Sequence, residues 1–247
     1  MSYLENTVTV ITGASSGIGA ATALKLAQRG SKIVLAARNE ERLQGLVTQI
    51  TQAGGVASYH LTDVGDRASV DELVNFAVSK YGKVDSLVNN AGLMLFSDWV
   101  DVAVDDWDQM INTNVRGYLH AIAAALPSMI AQGHGKILNM SSVAGLHVGG
   151  SSGVYSASKF FIRGITESLR KEVGVEHGIQ VSMISPGVID TGWADKVTNS
   201  DGRKAAQQLN KIAITPEQVA DAVAYALDQP NNLTINDIVI HPTKQNW

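Results

Sequence analysis

The sequence predicts a single α/β domain: a doubly wound parallel sheet of about seven strands with helices on both faces. Three observations lead to that expectation. Short apolar, β-branched runs alternate along the chain with segments of helical periodicity, and such alternation means parallel strands joined by crossover helices. The 247 residues fall within the size of one domain of this kind and can bury a large core. No internal repeat, linker or low-complexity segment marks a second domain, so the domain spans 1–247.

The first strand, 7–12, runs into Thr12-Gly13-Ala14-Ser15-Ser16-Gly17-Ile18-Gly19 and then into the helix-forming stretch Ala20 to Ala27. Glycine permits a tight turn and lets a pyrophosphate approach the backbone N–H groups of a helix N-terminus. Gly13, Ser15, Ser16, Gly17, Ile18 and Gly19 are therefore the expected nucleotide cradle. An ordinary strand-to-helix turn is the alternative, because the glycines fall as G-x-x-x-G-x-G and not as G-x-G-x-x-G. The second strand, 32–37, ends at Arg38, and Leu43, Leu46, Val47 and Ile50 then form an amphipathic stripe. The third, 56–62, leads to Asp63 and Val64, followed by the stripe Val70, Leu73, Val74, Ala77 and Val78. The fourth, 85–89, leads to Asn90-Ala91-Gly92, the fifth, 135–140, to Ser142, and the sixth, 179–184, to Pro186-Gly187. Thr215-Pro216-Glu217-Gln218 reads as an N-cap, a first-turn proline and a capping-box glutamine opening a helix through Leu227; a last strand covers 236–240. Ligands of such sheets lie at the carboxyl ends of the strands, where these motifs collect.

Tyr155 and Lys159, in Y-S-A-S-K, stand one helical turn apart on one face. A neighbouring cation stabilises a phenolate and lowers the phenol's pKa, which makes Tyr155 a candidate general acid/base. A solvated helix face is the alternative for that spacing alone. Other chemistries are excluded more firmly. There are no cysteines, hence no disulfide, thiol nucleophile or thiolate metal site, and the six histidines lack ligand-like spacing. A net charge of −4 gives no basic field for nucleic acid. No run approaches membrane-spanning length and Met1 to Ile11 lacks the features of a signal peptide, so a cytoplasmic location is expected.

From Val8 to Thr191 the chain resembles the short-chain dehydrogenase/reductase family. The matching pieces are T-G-A-S-S-G-I-G at 12–19, Asp63-Val64, N-N-A-G at 89–92, Asn114 in N-T-N-V-R-G, Ser142 in N-M-S-S-V-A-G, Y-S-A-S-K at 155–159, and Pro186-Gly187 in S-P-G-V-I-D-T. The resemblance implies a Rossmann-type fold and a nicotinamide cofactor. In such a protein Asp63 accepts from the adenine amino group, Val64 gives a backbone contact, and Asn90 and Gly92 lie beside the adenosine half. Pro186, Gly187 and Val188 border the nicotinamide, and Thr191 donates to a carboxamide or phosphate oxygen. Lys159 holds the nicotinamide ribose, Asn114 positions a water, and Ser142 and Tyr155 address the reacting oxygen. Ser141 competes for the serine role, and the thirteen-residue interval to Tyr155 favours Ser142.

NAD-preferring sites place a carboxylate at the end of the second strand, where it meets the ribose hydroxyls. Here Ala37 precedes Arg38, whose planar fork suits a 2′-phosphate, with Ser15 as a further donor. NADP(H) is the expected cofactor, and interconversion of a ketone or aldehyde with its alcohol the expected reaction. A non-catalytic NADP(H)-sensing protein and a hydride-using epimerase or dehydratase are the alternatives. His147, Val148, Leu93, Met94, Ile189 and Trp193 follow cofactor-side motifs and are expected to wall the substrate pocket. The segment 190–214 is expected to form a substrate lid, with Asn199-Ser200-Asp201-Gly202 as a turn. Ala157, Phe160, Phe161 and Gly164 cannot all be buried with Tyr155, Lys159, Ile162 and Thr166 in one subunit, which points to a homodimer or homotetramer.

Overall fold

The computed structural model describes residues 2–197 and 200–246. Its seven strands are β1 (Val8–Thr12), β2 (Lys32–Ala37), β3 (Val56–Leu61), β4 (Ser86–Asn89), β5 (Gly135–Met140), β6 (Ile179–Pro186) and β7 (Asp237–Ile240). They form one parallel sheet in the order β3-β2-β1-β4-β5-β6-β7. The period of two splits each strand between two cores. Val8, Val10, Val34, Ala36, Ile137 and Val181 face one side, while Ile11, Ile33, Leu35, Leu138 and Ile184 face the other. The first side is covered by α3 (Arg67–Tyr81), α5 (Gly117–Gln132) and α6 (Gly153–Leu169). The second is covered by α1 (Gly17–Gln28), α2 (Glu40–Gln52) and α9 (Pro216–Leu227).

Local sequence explains where these helices start. The Asn39 side chain accepts from Arg42 N at 2.9 Å and that of Asp66 from Ala68 N at 3.0 Å. Thr215 and Gln218 form the reciprocal capping box, with Pro216 at the first helical position. Each such cap is worth about 1 kcal/mol. The helix α4 (Val104–Ile111) continues into α5 through a π-helical turn, Asn112–Arg116, and α6 continues through a second, Arg170–Gly174, into the short α7 (Val175–His177). Neither wide turn has a signature in the sequence.

Two features position the site. The strand order reverses between β1 and β4, and there the turns after the two strands part to form a crevice. Asn89 donates to Asn139 at 2.9 Å and Asn139 donates to Thr166 at 2.9 Å, which ties β4, β5 and α6 together beneath it. The segment 190–214 is closed at its base, since Asp190 N donates to Ile214 O at 3.0 Å and Ile214 N to Val188 O at 3.1 Å. One expectation fails inside it: Ser200, Asp201 and Gly202 are not a turn but the first residues of α8 (Ser200–Asn210), and Asn199 lies outside the described residues. Polar composition misleads there because α8 is amphipathic on a single buried residue, Ala206.

Candidate active site

The glycine turn is held from behind by the turn after β4. Gly13 has φ +65°, and a Cβ on it would stand 2.7 Å from Ala91 Cα, so only glycine fits. Thr12 Oγ1 accepts from Asn90 N at 3.0 Å and Ala91 N at 3.1 Å, and Asn90 Nδ2 donates back to the carbonyls of Thr12 and Gly13 at 3.1 and 3.2 Å. Asn90 thus acts mainly as a clamp on the cradle, and Thr12, which composition gave no reason to single out, is its other half. Ser16 caps α1 in an extended conformation with no side-chain hydrogen bond, unlike Asn39 and Asp66. The first-turn N–H groups of α1 therefore keep their donors for an anion.

At the ends of β2 and β3, the Arg38 guanidinium lies 3.9 Å from the Asp63 carboxylate, with 72% of its own side chain exposed. The other Asp63 oxygen accepts from Gly65 N at 2.9 Å. A loose, exposed ion pair leaves Arg38 free to turn to a phosphate.

At the opposite end of the cleft, Ser142 is buried at the end of β5 and Tyr155 is half-buried on α6. Ser142 Oγ donates to Pro186 O at 3.4 Å and accepts from Ala144 N at 3.1 Å, and it stands close enough to the Tyr155 phenol to pull its pKa down. Ser141 turns the other way and donates to the Lys159 carbonyl at 3.3 Å. Lys159 Nζ is buried and donates to Met140 O at 2.9 Å, the carbonyl to which Tyr118 also donates at 2.8 Å. The ammonium sits between the rings of Tyr118 and Tyr155, 5.6 and 5.7 Å from their centroids. Burial pushes the Tyr155 phenol up to about 12, against a lowering pull from Ser142, and pushes Lys159 down to about 7. The expected lysine-depressed phenol is not found among the protein's own groups: loss of hydration raises it, and the one lowering pull comes from Ser142.

Asn114 is completely buried in the π-helical turn. Its amide accepts from Leu93 N and donates to Leu93 O, both at 2.8 Å, and donates to Ser158 at 3.2 Å. Protein partners therefore occupy both of its donors, and it fixes the loop at Leu93, after β4, against α6; the wide turn lets the amide reach both.

These groups border one cleft of about 970 Å³. Every residue the sequence singled out for cofactor, substrate or chemistry lines it except Gly19, where a Cβ would overlap the Gly13 carbonyl, and the buried Asn114. Sequence reasoning missed Phe96 and the α8 residues Ala205, Ala206 and Leu209, which also line it. On the wall after β6, Val188 N is already engaged by Gln245 Oε1 at 3.0 Å and Gly187 N by Ile240 O at 2.8 Å. That wall is consequently braced by the C-terminal segment.

The pattern of the short chain dehydrogenases matches residues 7–202. The chain belongs to this family. A curated relative within it, an uncharacterised oxidoreductase of Listeria innocua, is 42% identical over 246 residues, 99% of each chain. Among solved members, a metagenomic short-chain oxidoreductase in complex with NADP superposes with a TM-score of 0.83 at 32% identity, covering 98% of this chain and 99% of the other. A Burkholderia phymatum member in complex with NAD gives 0.89 at 30%, covering 97% and 90%. The family thus holds both cofactors on this fold. Among the described residues no helix is long and apolar enough to cross a membrane, and no cluster of side chains is suited to a metal.

Proposed function

We propose that this family member is an NADP(H)-dependent oxidoreductase that interconverts a small ketone or aldehyde and the corresponding alcohol. The observation that carries the reading is the meeting of Ser142 and Tyr155, in one cleft, with a glycine cradle whose helix N-terminus keeps its donors. The fit to the cofactor rests on three features: the cradle at Gly13, the uncapped α1, and Arg38 at the end of β2, where a carboxylate would repel a 2′-phosphate. When bound, NADPH supplies the hydride equivalent for the carbonyl carbon.

The chain supplies the rest. Ser142 donates to the carbonyl oxygen and stabilises negative charge as it develops there. Tyr155 gives its phenolic proton to the same oxygen, so that the ketone leaves as an alcohol. Burial holds the Tyr155 phenol protonated near neutral pH, so the proton it gives to the alkoxide is in place. Lys159, below and beside it, is the cation nearest the phenolate left behind. Asn114 acts as a positioning residue for the loop that carries Leu93 and Met94.

The segment 190–214 serves as the substrate lid in this reading, supported by its closed base and by its own small core of Ala194, Val197 and Ala206. Exposed Ala157, Phe160 and Gly164 on the outer side of α6 support pairing of copies through that helix. The test is NADPH absorbance followed against a panel of aldehydes, ketones and hydroxy compounds, with NADH in parallel. Turnover with NADPH is expected, and silence across the panel would favour a nucleotide-sensing protein.

A further inference from the structure

The cleft divides into halves of different chemistry. The charged side chains that line it, among the described residues, are Arg38 and Asp63 at one end and Lys159, which is buried under Tyr155 with its Nζ on the Met140 carbonyl. Beyond Tyr155 apolar side chains gather, beside the uncharged polar Ser151 and Ser152 of the loop before α6. Phe96 meets Trp193 edge-on, with centroids 5.6 Å apart and planes at 90°. Both rings pack against the buried residues Ala194, Val197 and Ala206, so they are braced and not loose flaps. Leu209, one turn beyond Ala205 on α8, and Met94, after β4, extend the same surface.

The cations nearest in sequence on α8 point elsewhere. Arg203 Nε donates to the Val197 carbonyl at 2.9 Å, and Lys204 pairs with Asp201 at 3.0 Å; neither lines the cleft. His147, at the exposed rim, is the one titratable side chain among the described residues on this half beyond Tyr155. A carboxylate entering here would exchange its hydration for apolar surface without a buried cation to meet it, whereas an aromatic or branched aliphatic group would lose only contact with water.

On the reading of the protein as a carbonyl reductase, we infer that its substrate is an uncharged ketone or aldehyde with a bulky apolar substituent, seated between Phe96, Trp193 and α8 with its carbonyl toward Ser142 and Tyr155. The overall change balances as carbonyl compound plus NADPH plus one proton giving alcohol plus NADP+: the hydride becomes the new C–H bond, and the Tyr155 proton, later replaced from solvent, becomes the new O–H bond. The aromatic pair selects the substituent, and the lack of a cation among the described lining residues on this half disfavours keto acids.

The experiment compares aryl ketones and keto esters with the matching keto acids under saturating NADPH. The neutral compounds are expected to exceed the acids in kcat/KM by on the order of a hundred-fold. Trp193→Ala should raise KM for an aryl ketone roughly ten-fold and lower its preference over acetone. Leu209→Arg should raise keto-acid kcat/KM and reduce the ester-to-acid ratio. Keto acids turned over as well as their esters, or an aryl ketone insensitive to Trp193→Ala, would overturn the inference while leaving the reductase reading intact. Turnover of neither class would overturn the reductase reading. The apolar subsite is then read separately by Trp193 fluorescence, with the full-length Trp193→Phe protein as reference: quenching by the aryl ketone and not by the acid supports it, and the reverse sinks it.

Discussion

Replacing Arg38 by alanine removes the one described cation at the ribose-phosphate end of the cleft while leaving the glycine cradle untouched. A charge-assisted hydrogen bond from a guanidinium to a phosphate contributes about 1.5–3 kcal/mol. With 72% of the side chain exposed, solvent screening reduces that toward the lower end, and release of the loose Asp63 pair, at 3.9 Å, costs almost nothing. A loss of about 1.4 kcal/mol corresponds to a ten-fold rise in KM for NADPH. The 2′-phosphate is remote from the reacting carbon, so kcat should hold, and NADH, which lacks that phosphate, should show an unchanged KM. Steady-state kinetics with both cofactors against one good carbonyl substrate reads all three quantities. Equal KM increases for NADPH and NADH would show that Arg38 supports the fold of the β2 end and does not select the cofactor. A wild-type KM for NADH as low as that for NADPH would remove the premise.

Three other outcomes follow from the site. Lys159 is held near 7 in the folded protein, below its unfolded value, so the unfolded chain binds more protons above pH 7 and the cost of burying the ammonium is complete below it. Without cofactor, Lys159→Met should therefore gain melting temperature relative to wild type most at pH 6, with the gain shrinking toward pH 9; parallel curves would refute the buried ammonium. Thr12→Val leaves Asn90 N and Ala91 N without their acceptor, which should cost about 2 kcal/mol and raise KM for the cofactor as the cradle loosens. A drop in melting temperature without a change in that KM would separate Thr12 from the cradle. Gln245→Leu removes the acceptor of Val188 N and should lower the melting temperature by several degrees, measurable by calorimetry.

The sheet was legible because its strands are short β-branched runs separated by helical stripes; in the central strands Val8–Thr12 and Ile179–Pro186 every residue is buried, the alternating Thr9, Gln180 and Ser182 included, as both faces of a parallel sheet are covered. The residues that line the cleft were legible for a related reason, since strand ends set them and strand ends are marked by glycine, asparagine and proline. What escaped notice depends on contacts distant in sequence. The clamp of Thr12 on Asn90, the bracing of Val188 by Gln245, and the carbonyl of Met140 shared by Lys159 and Tyr118 join positions from 19 to 78 residues apart. The direction of the Tyr155 shift also escaped, because four-residue spacing reveals the neighbouring ammonium but not the burial that raises the phenol. The opening of α8 was misread where Asp201 and Gly202 resemble a turn; a helix held by tertiary contacts at Ala206 overrides that local preference.

The most direct test of the account is Tyr155→Phe, assayed for NADPH-dependent ketone reduction together with its affinity for NADPH and its melting temperature. The substitution keeps the ring beside Lys159 and removes only the hydroxyl that meets Ser142. The account predicts that kcat falls by about a hundred- to ten-thousand-fold while cofactor affinity and stability stay close to wild type. Near-normal turnover in a folded, NADPH-binding Tyr155→Phe protein would contradict it.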